Sequence, residues 1–139
     1  MVAYSFQKRF IEPILAGLGE TVLGVYPKRQ TIRAVGKRRH ARAGEVVQLY
    51  TAMRTKQCRK LGVARCKAVS DIRIFVERGV IQLPGGQIEG AAVEAFARRD
   101  GFASWADMQQ FWREEHGDIV RDRDVAFVGL LIQWERIAA

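Results

Sequence analysis

Apolar residues along this chain fall at two spacings, and the spacing changes several times. Val2-Ala3-Tyr4-Ser5-Phe6 reads as a short strand. Phe10, Ile11, Ile14 and Leu15 then lie close to helical spacing, with Gly17 placed to end that helix. Leu18 to Pro27, carrying Gly19, Gly24 and Pro27, breaks both patterns and predicts a loop or an inserted hairpin. Gln30-Thr31-Ile32-Arg33 is short and β-prone. A polar loop from Gly36 to Arg42 and a turn at Ala43-Gly44-Glu45 lead into the strong strand Val46-Val47-Gln48-Leu49-Tyr50. After a loop from Thr51 to Lys60, strand-like positions run from Val63 through Cys66, Val69, Ile72 and Ile74 to Val76, with a bend or bulge at Ser70-Asp71. Val80-Ile81-Gln82-Leu83 is a further strand, closed by a turn at Pro84-Gly85-Gly86.

The second half reads as helices followed by one more strand. Ala92, Val93, Phe96 and Ala97 form one face of a helix that breaks at Asp100-Gly101-Phe102-Ala103. Ser104 and Asp107 have capping-box spacing and open a helix with Trp105, Met108, Phe111 and Trp112 on one side. Val125 to Trp134 is apolar enough for a buried closing strand, and it fits a barrel wall as well as a dimer seam, so oligomeric state stays open. The sum is five or six strands and about three helices, an α+β domain spanning 1–139 around a small β-barrel.

Composition narrows the class. The apolar fraction of 48% and charged fraction of 27% argue for a packed domain over a disordered one. No apolar run approaches the roughly 20 residues of a membrane span. Lys8, Arg9 and Glu12 stand where an export signal needs apolar residues, so the expectation is a cytoplasmic protein with no membrane partner. Cys58 and Cys66 match no zinc or redox spacing and read as a reduced, inert pair. Charge is the strongest signal. Lys28 to Lys67 holds 13 basic residues and one acid, Glu45, whereas the rest of the chain holds 10 basic and 14 acidic residues. That asymmetry points to a polyanion-binding face.

Three stretches, taken in order, resemble a known family. They are Phe6-Gln7-Lys8-Arg9-Phe10 through Ile14-Leu15-Ala16-Gly17 with Lys28-Arg29-Gln30-Thr31-Ile32-Arg33; Gly44-Glu45-Val46-Val47-Gln48-Leu49-Tyr50; and Val128-Gly129-Leu130-Leu131-Ile132-Gln133-Trp134. Together they resemble the ASCH domain, which implies a PUA-like β-barrel with a cleft for RNA, DNA or a nucleotide. The loop Met53 to Gly62 is similar to a subset found in phages and prophages. The N-terminal third is also similar to small bacterial amidohydrolases that deacetylate N4-acetylcytidine. That likeness implies a site at Lys28 and Thr31, with Asp100 near the position of the family's catalytic glutamate. Leu18 to Pro27 intervene where the family runs directly from the glycine to the lysine.

These residues support two kinds of chemistry. In a deacylase, Thr31 is the nucleophile and Lys28 activates it. Asp100 holds the amine or relays a proton, and Arg33 or a backbone N–H stabilises the oxyanion. The alternative is plainer: Thr31 is a strand threonine, Lys28 and Arg33 bind phosphate, and Asp100 caps the helix starting near Ala103 or sits in a turn. For polyanion binding, Lys37, Arg38, Arg39, His40 and Arg42 form one loop, and Arg54, Lys56, Arg59 and Lys60 a second. Tyr26 and Tyr50 are candidate stacking faces for a base. His40 reads as a solvated loop residue, and His40 and His116 are too far apart in sequence to suggest an acid–base pair. The expectations, in order, are a module binding RNA or a modified nucleotide, an N4-acetylcytidine-type amidohydrolase, and a metal-independent ribonuclease. None calls for a cofactor or metal.

Overall fold

Alternating apolar residues carry most of the chain into strands of a single sheet. The computed structural model describes residues 2–137. Its strands are β1 (Val2–Phe6), β2 (Gln30–Arg33), β3 (Val46–Thr51), β4 (Arg59–Phe75), β5 (Val80–Leu83), β6 (Gly86–Ile88) and β7 (Phe127–Arg136). A 3₁₀ turn (Lys8–Phe10) runs into α1 (Ile11–Gly17), and α2 (Ala91–Arg99) and α3 (Trp105–Val120) precede β7. The fold is therefore α+β. No described helix is long and apolar enough to cross a membrane.

β4 organises the sheet. Its first half pairs with β3, Val46 opposite Arg65, and β7 runs along it from Ala64, opposite Arg136, to Ile74, opposite Phe127. β1 joins the outer side of β3 in parallel, and β2 joins β7 antiparallel, Thr31 opposite Ile132. β1 and β2 do not pair with each other, so the sheet is not closed into the expected barrel. A single apolar core lies inside it, with Ile14, Val47, Leu49, Ile74, Phe96, Met108, Ile132 and Trp134 almost completely hidden.

Several sequence expectations need correction. There are seven strands where five or six were expected: Gly86–Ile88 pairs with β5, so Pro84-Gly85 turns a hairpin rather than ending the strand region. The bulges in β4 are at Leu61, against β3, and at Lys67, against β7, and not at Ser70-Asp71, which stay in register opposite Leu131 and Leu130. The ladder to β7 outweighs the local turn preference of Ser and Asp. Ala92 faces solvent, leaving Val93, Phe96 and Ala97 as the buried face of α2. Leu18 to Pro27 is a loop with no strand in it. The capping prediction agrees with the structure, since the Ser104 hydroxyl accepts a hydrogen bond from the Asp107 N–H at 3.1 Å. Cys58 is exposed, Cys66 is buried, and both are free.

The Leu18–Pro27 loop returns to where it left. The Lys28 N–H donates to the Pro13 carbonyl at 2.8 Å, and Arg29 Nε donates to the Gly17 carbonyl at 2.8 Å. A methyl group on Gly17 would run into the Lys28 carbonyl, so only glycine allows α1 to end this close to Lys28. Gly17→Ala is accordingly expected to destabilise the fold by about 1–3 kcal/mol, the usual cost of overpacking, because the obstructing atom is backbone. Chemical denaturation checks this, and an unchanged midpoint would mean that the backbone relaxes freely around the added methyl.

Candidate functional site

The unclosed gap between β1 and β2 holds a pocket of about 340 Å³, at the small end of the range for small-molecule sites. Ser5 and Phe6 come from one edge and Thr31, Ile32 and Arg33 from the other. Lys28 and Asp100 also line it, and α3 covers it with Phe111, Trp112 and His116. One end of the pocket is therefore charged and the other aromatic.

At the charged end Lys28 and Asp100, 72 residues apart, form an ion pair with Nζ 3.2 Å from Oδ1. Lys28 is 3% exposed, Asp100 5% and Thr31 4%. Lys28 Nζ also donates to the Asp100 backbone carbonyl at 2.7 Å, and Gln30 Nε2 donates to Asp100 Oδ1 at 3.3 Å. Asp100 caps neither α3 nor a surface turn; it is the residue that ends α2, turned inward onto Lys28. Gly101 makes this possible: its φ of +90° is a left-handed conformation, and a Cβ there would crowd the Lys28 side chain and Pro13.

Burial pushes the Lys28 ammonium below its ordinary pKa, and the attraction of Asp100 only partly offsets this. Burial likewise lifts the Asp100 carboxyl above its ordinary value, against the pull of Lys28 and the Gln30 amide. Both shifts run toward the uncharged forms, and burial is the larger cause in each. The Lys28 Nζ also lies 4.7 Å from the centre of the Phe10 ring, a low-dielectric wall that strengthens every electrostatic term at this end.

Thr31 and Arg33 complete the polar set. Arg33 Nε donates to Thr31 Oγ1 at 3.1 Å, and its Nη2 donates to the Ser5 carbonyl at 2.9 Å across the β1–β2 gap. The guanidinium lies over the rings of Tyr4 and Phe6, 5.1 and 5.0 Å from their centres. With a cation donating to its oxygen, the Thr31 hydroxyl keeps its own proton available and its alkoxide is stabilised. The remaining N–H groups of Arg33 are placed to meet an anion in the pocket.

The aromatic wall starts at the charged end, where Phe10 lies against Lys28. Phe10, Phe102 and Phe111 pack mutually with ring centres 5.3–5.5 Å apart. Trp112 packs on Phe127 at 4.6 Å and on His116 at 4.6 Å. α3 is interrupted at His116 (φ −135°, ψ 32°), and the imidazole lines the same pocket as Lys28 and Thr31. Sequence reasoning missed His116 as a site residue, because its only visible relation was its distance from His40. The Trp105–Trp112 stripe read as plain core.

A second, basic pocket of about 290 Å³ adjoins the first through Ser5 and Arg33, and Arg38, Arg39, His40 and Arg54 line it. Arg39 is already engaged: its two terminal nitrogens reach Glu45 at 2.7 and 2.8 Å, which, with the Arg42 N–H, holds the Glu45 carboxyl down to about 2. Lys37, Arg42, Lys56 and Lys60 are exposed but line neither pocket. Arg59 lines a wider groove of about 670 Å³ on the other flank of β1, together with Ile11, Thr51 and Met53. That groove is larger, yet it contains no buried charged pair. The stacking residues expected from sequence lie elsewhere. Tyr26 is 43% exposed beneath Arg98, and Tyr50 sits half-buried on β3 opposite Lys60. His40 is a half-buried loop residue with both nitrogens engaged: Nδ1 meets the Tyr4 hydroxyl at 3.1 Å and Nε2 the Ala34 carbonyl at 2.9 Å.

Comparison of the chain with family models, with curated proteins and with solved structures finds no match in any of the three. The functional reading therefore rests on the chemistry of these pockets.

Proposed function

We propose that the chain is an ASCH-like, PUA-like amidohydrolase that binds a nucleobase in the aromatic pocket and removes an acyl group from its exocyclic amine, N4-acetylcytidine being the type substrate. One observation carries this: a buried Lys28–Asp100 pair faces a ligand-sized pocket beside a threonine hydroxyl. Two buried charges rarely add to stability over apolar residues of the same size, so a role in chemistry accounts for them better than a role in folding.

In this reading the Lys28 amine, held by Asp100 in the free protein, takes the Thr31 proton as Oγ1 attacks the amide carbon. The oxygen that gains negative charge is met by Arg33. Collapse breaks the C–N bond, and the proton returns through Lys28 and Asp100 to the departing amine. Water then hydrolyses the acyl-threonine to the free acid and regenerates the hydroxyl. His116 lies at the base end, where it orients the ring. The direct test is release of cytidine from N4-acetylcytidine by the wild-type protein. Turnover supports the proposal; a folded protein with no turnover removes it.

A second reading, binding of RNA or another polynucleotide, is favoured by the basic pocket beside the first. It expects affinity that falls steeply with salt. Arg38→Ala with Arg54→Ala is expected to weaken binding of single-stranded RNA roughly uniformly across sequences. The same pair of changes should flatten the salt dependence by about one unit of slope for each phosphate no longer neutralised. Unchanged binding across a salt titration would remove this reading. A metal-independent ribonuclease gains least, because His40 is committed to Tyr4 and Ala34 and so cannot pair with His116.

A further inference from the structure

Building on the base-pocket reading, we infer that the basic pocket is a preformed phosphate subsite, so that a nucleotide unit is held more tightly than the free nucleoside. Exposed cationic loops are ordinarily solvated and mobile, and need no tether. Here the two loops that line the pocket are both tied to adjacent residues of β1. The Tyr4 hydroxyl accepts from the Ala41 N–H at 3.0 Å and meets His40 Nδ1 at 3.1 Å, fixing the loop that carries Arg38. Burial holds the Tyr4 phenol above its ordinary pKa, so it stays a donor to His40. The Ser5 hydroxyl accepts from the Met53 N–H at 3.1 Å, fixing the loop that carries Arg54.

That second loop is also strained. Ala52 and Arg54 have φ of +52° and +68°, left-handed conformations that cost non-glycine residues energy and persist where surrounding contacts impose them. The result places Arg54 and Arg38 on one small pocket. Among the described residues neither forms an ion pair, whereas Arg39 beside them is neutralised by Glu45. Two uncommitted guanidiniums on preorganised loops suit bidentate hydrogen bonding to phosphate oxygens.

The link to the first pocket is Arg33. Arg33 lines both pockets, and so does Ser5, whose carbonyl it bonds. A base against the aromatic end and a phosphate against Arg38 and Arg54 would therefore lie on opposite sides of one side chain. The phosphate can belong to a mononucleotide or to one link of a polynucleotide, and the test separates them.

Four probes decide it: cytidine (base only), ribose 5-phosphate (phosphate only), cytidine 5′-monophosphate (both) and a short single-stranded oligoribonucleotide. Calorimetric titration gives affinities, and the arginine Nε–Hε resonances report the phosphate site separately. The monophosphate is expected to bind at least about tenfold tighter than cytidine, and Arg38→Ala/Arg54→Ala to bring the two to near-equal affinity. A gain shown only by the oligonucleotide identifies a polynucleotide link as the source. Ribose 5-phosphate is expected to shift the Arg38 and Arg54 resonances even if cytidine fails to bind. In that outcome the base-pocket reading falls and the phosphate subsite stands. If cytidine binds as tightly as both phosphorylated ligands, or no phosphate compound shifts those resonances, the inference is overturned.

Discussion

Replacing Lys28 alone with methionine is expected to destabilise the fold by about 3–5 kcal/mol, and replacing Asp100 with asparagine at the same time to recover most of that loss. The single change leaves a carboxylate about 95% buried with no cation, and the charge must then be neutralised or exposed. The double change removes both charges and leaves an amide oxygen to accept from Gln30 Nε2, now 3.3 Å from Asp100 Oδ1. Guanidinium denaturation of the two variants checks the pattern. Equal destabilisation of single and double variants would mean that the ion pair itself holds the fold together. Recovery of stability would show that the pair is dispensable for folding, which frees it for chemistry.

The second large effect concerns Thr31. Thr31→Val keeps the shape of the side chain and removes the hydroxyl, so it is expected to lower deacylation by about a thousandfold or more. Its cost in stability is about 1–2 kcal/mol, since Arg33 Nε, now 3.1 Å from Thr31 Oγ1, loses its acceptor. Thr31→Ser restores the nucleophile and is expected to recover a large part of the rate. A nucleophile explains that recovery; a packing role does not. If the valine variant retains wild-type turnover, Thr31 is no nucleophile and the covalent step is wrong.

The rate should also depend on pH in a definite direction. Lys28 must give up its proton before it can accept one from Thr31, and burial has already lowered its pKa below 10.5. Deacylation is therefore expected to rise with pH along a limb centred below 10.5. A limb centred at or above that value would mean that the amine is not the base.

The sequence carried the strands well where alternation was strong and less well where tertiary pairing decided the outcome. Val46 to Tyr50 and the long run to Val76 were legible because their inward positions repeat. The hairpin partner Gly86–Ile88 was not, because it is three residues long and two of them are polar or glycine. The bulge at Lys67 carries no local signal at all; it falls within the long ladder to β7, between Cys66 opposite Trp134 and Ala68 opposite Gln133. An apolar closing segment implied a barrel, yet whether β1 and β2 pair depends on the width of the gap that Arg33 and the pocket fill.

The site divides in the same way. Lys28 and Thr31 were visible through a short resemblance, and the ten-residue loop between Gly17 and Lys28 brings the two residues back into contact. Asp100 was linked to them only by that resemblance, and its partnership with Lys28 depends on the turn that Gly101 allows. Phe102, Phe111 and His116 escaped notice because an aromatic pocket wall and a hydrophobic core look alike in one dimension. Tyr26 and Tyr50 were chosen as stacking residues by type alone, and the fold points neither into a pocket.

Cytidine release from N4-acetylcytidine, measured for the wild type beside Lys28→Met/Asp100→Asn with both shown to be folded, tests the central claim most directly. Turnover by the wild type and none by the equally stable double variant is the expected result. Turnover that survives in the double variant would contradict the account, since the buried pair would then take no part in the chemistry.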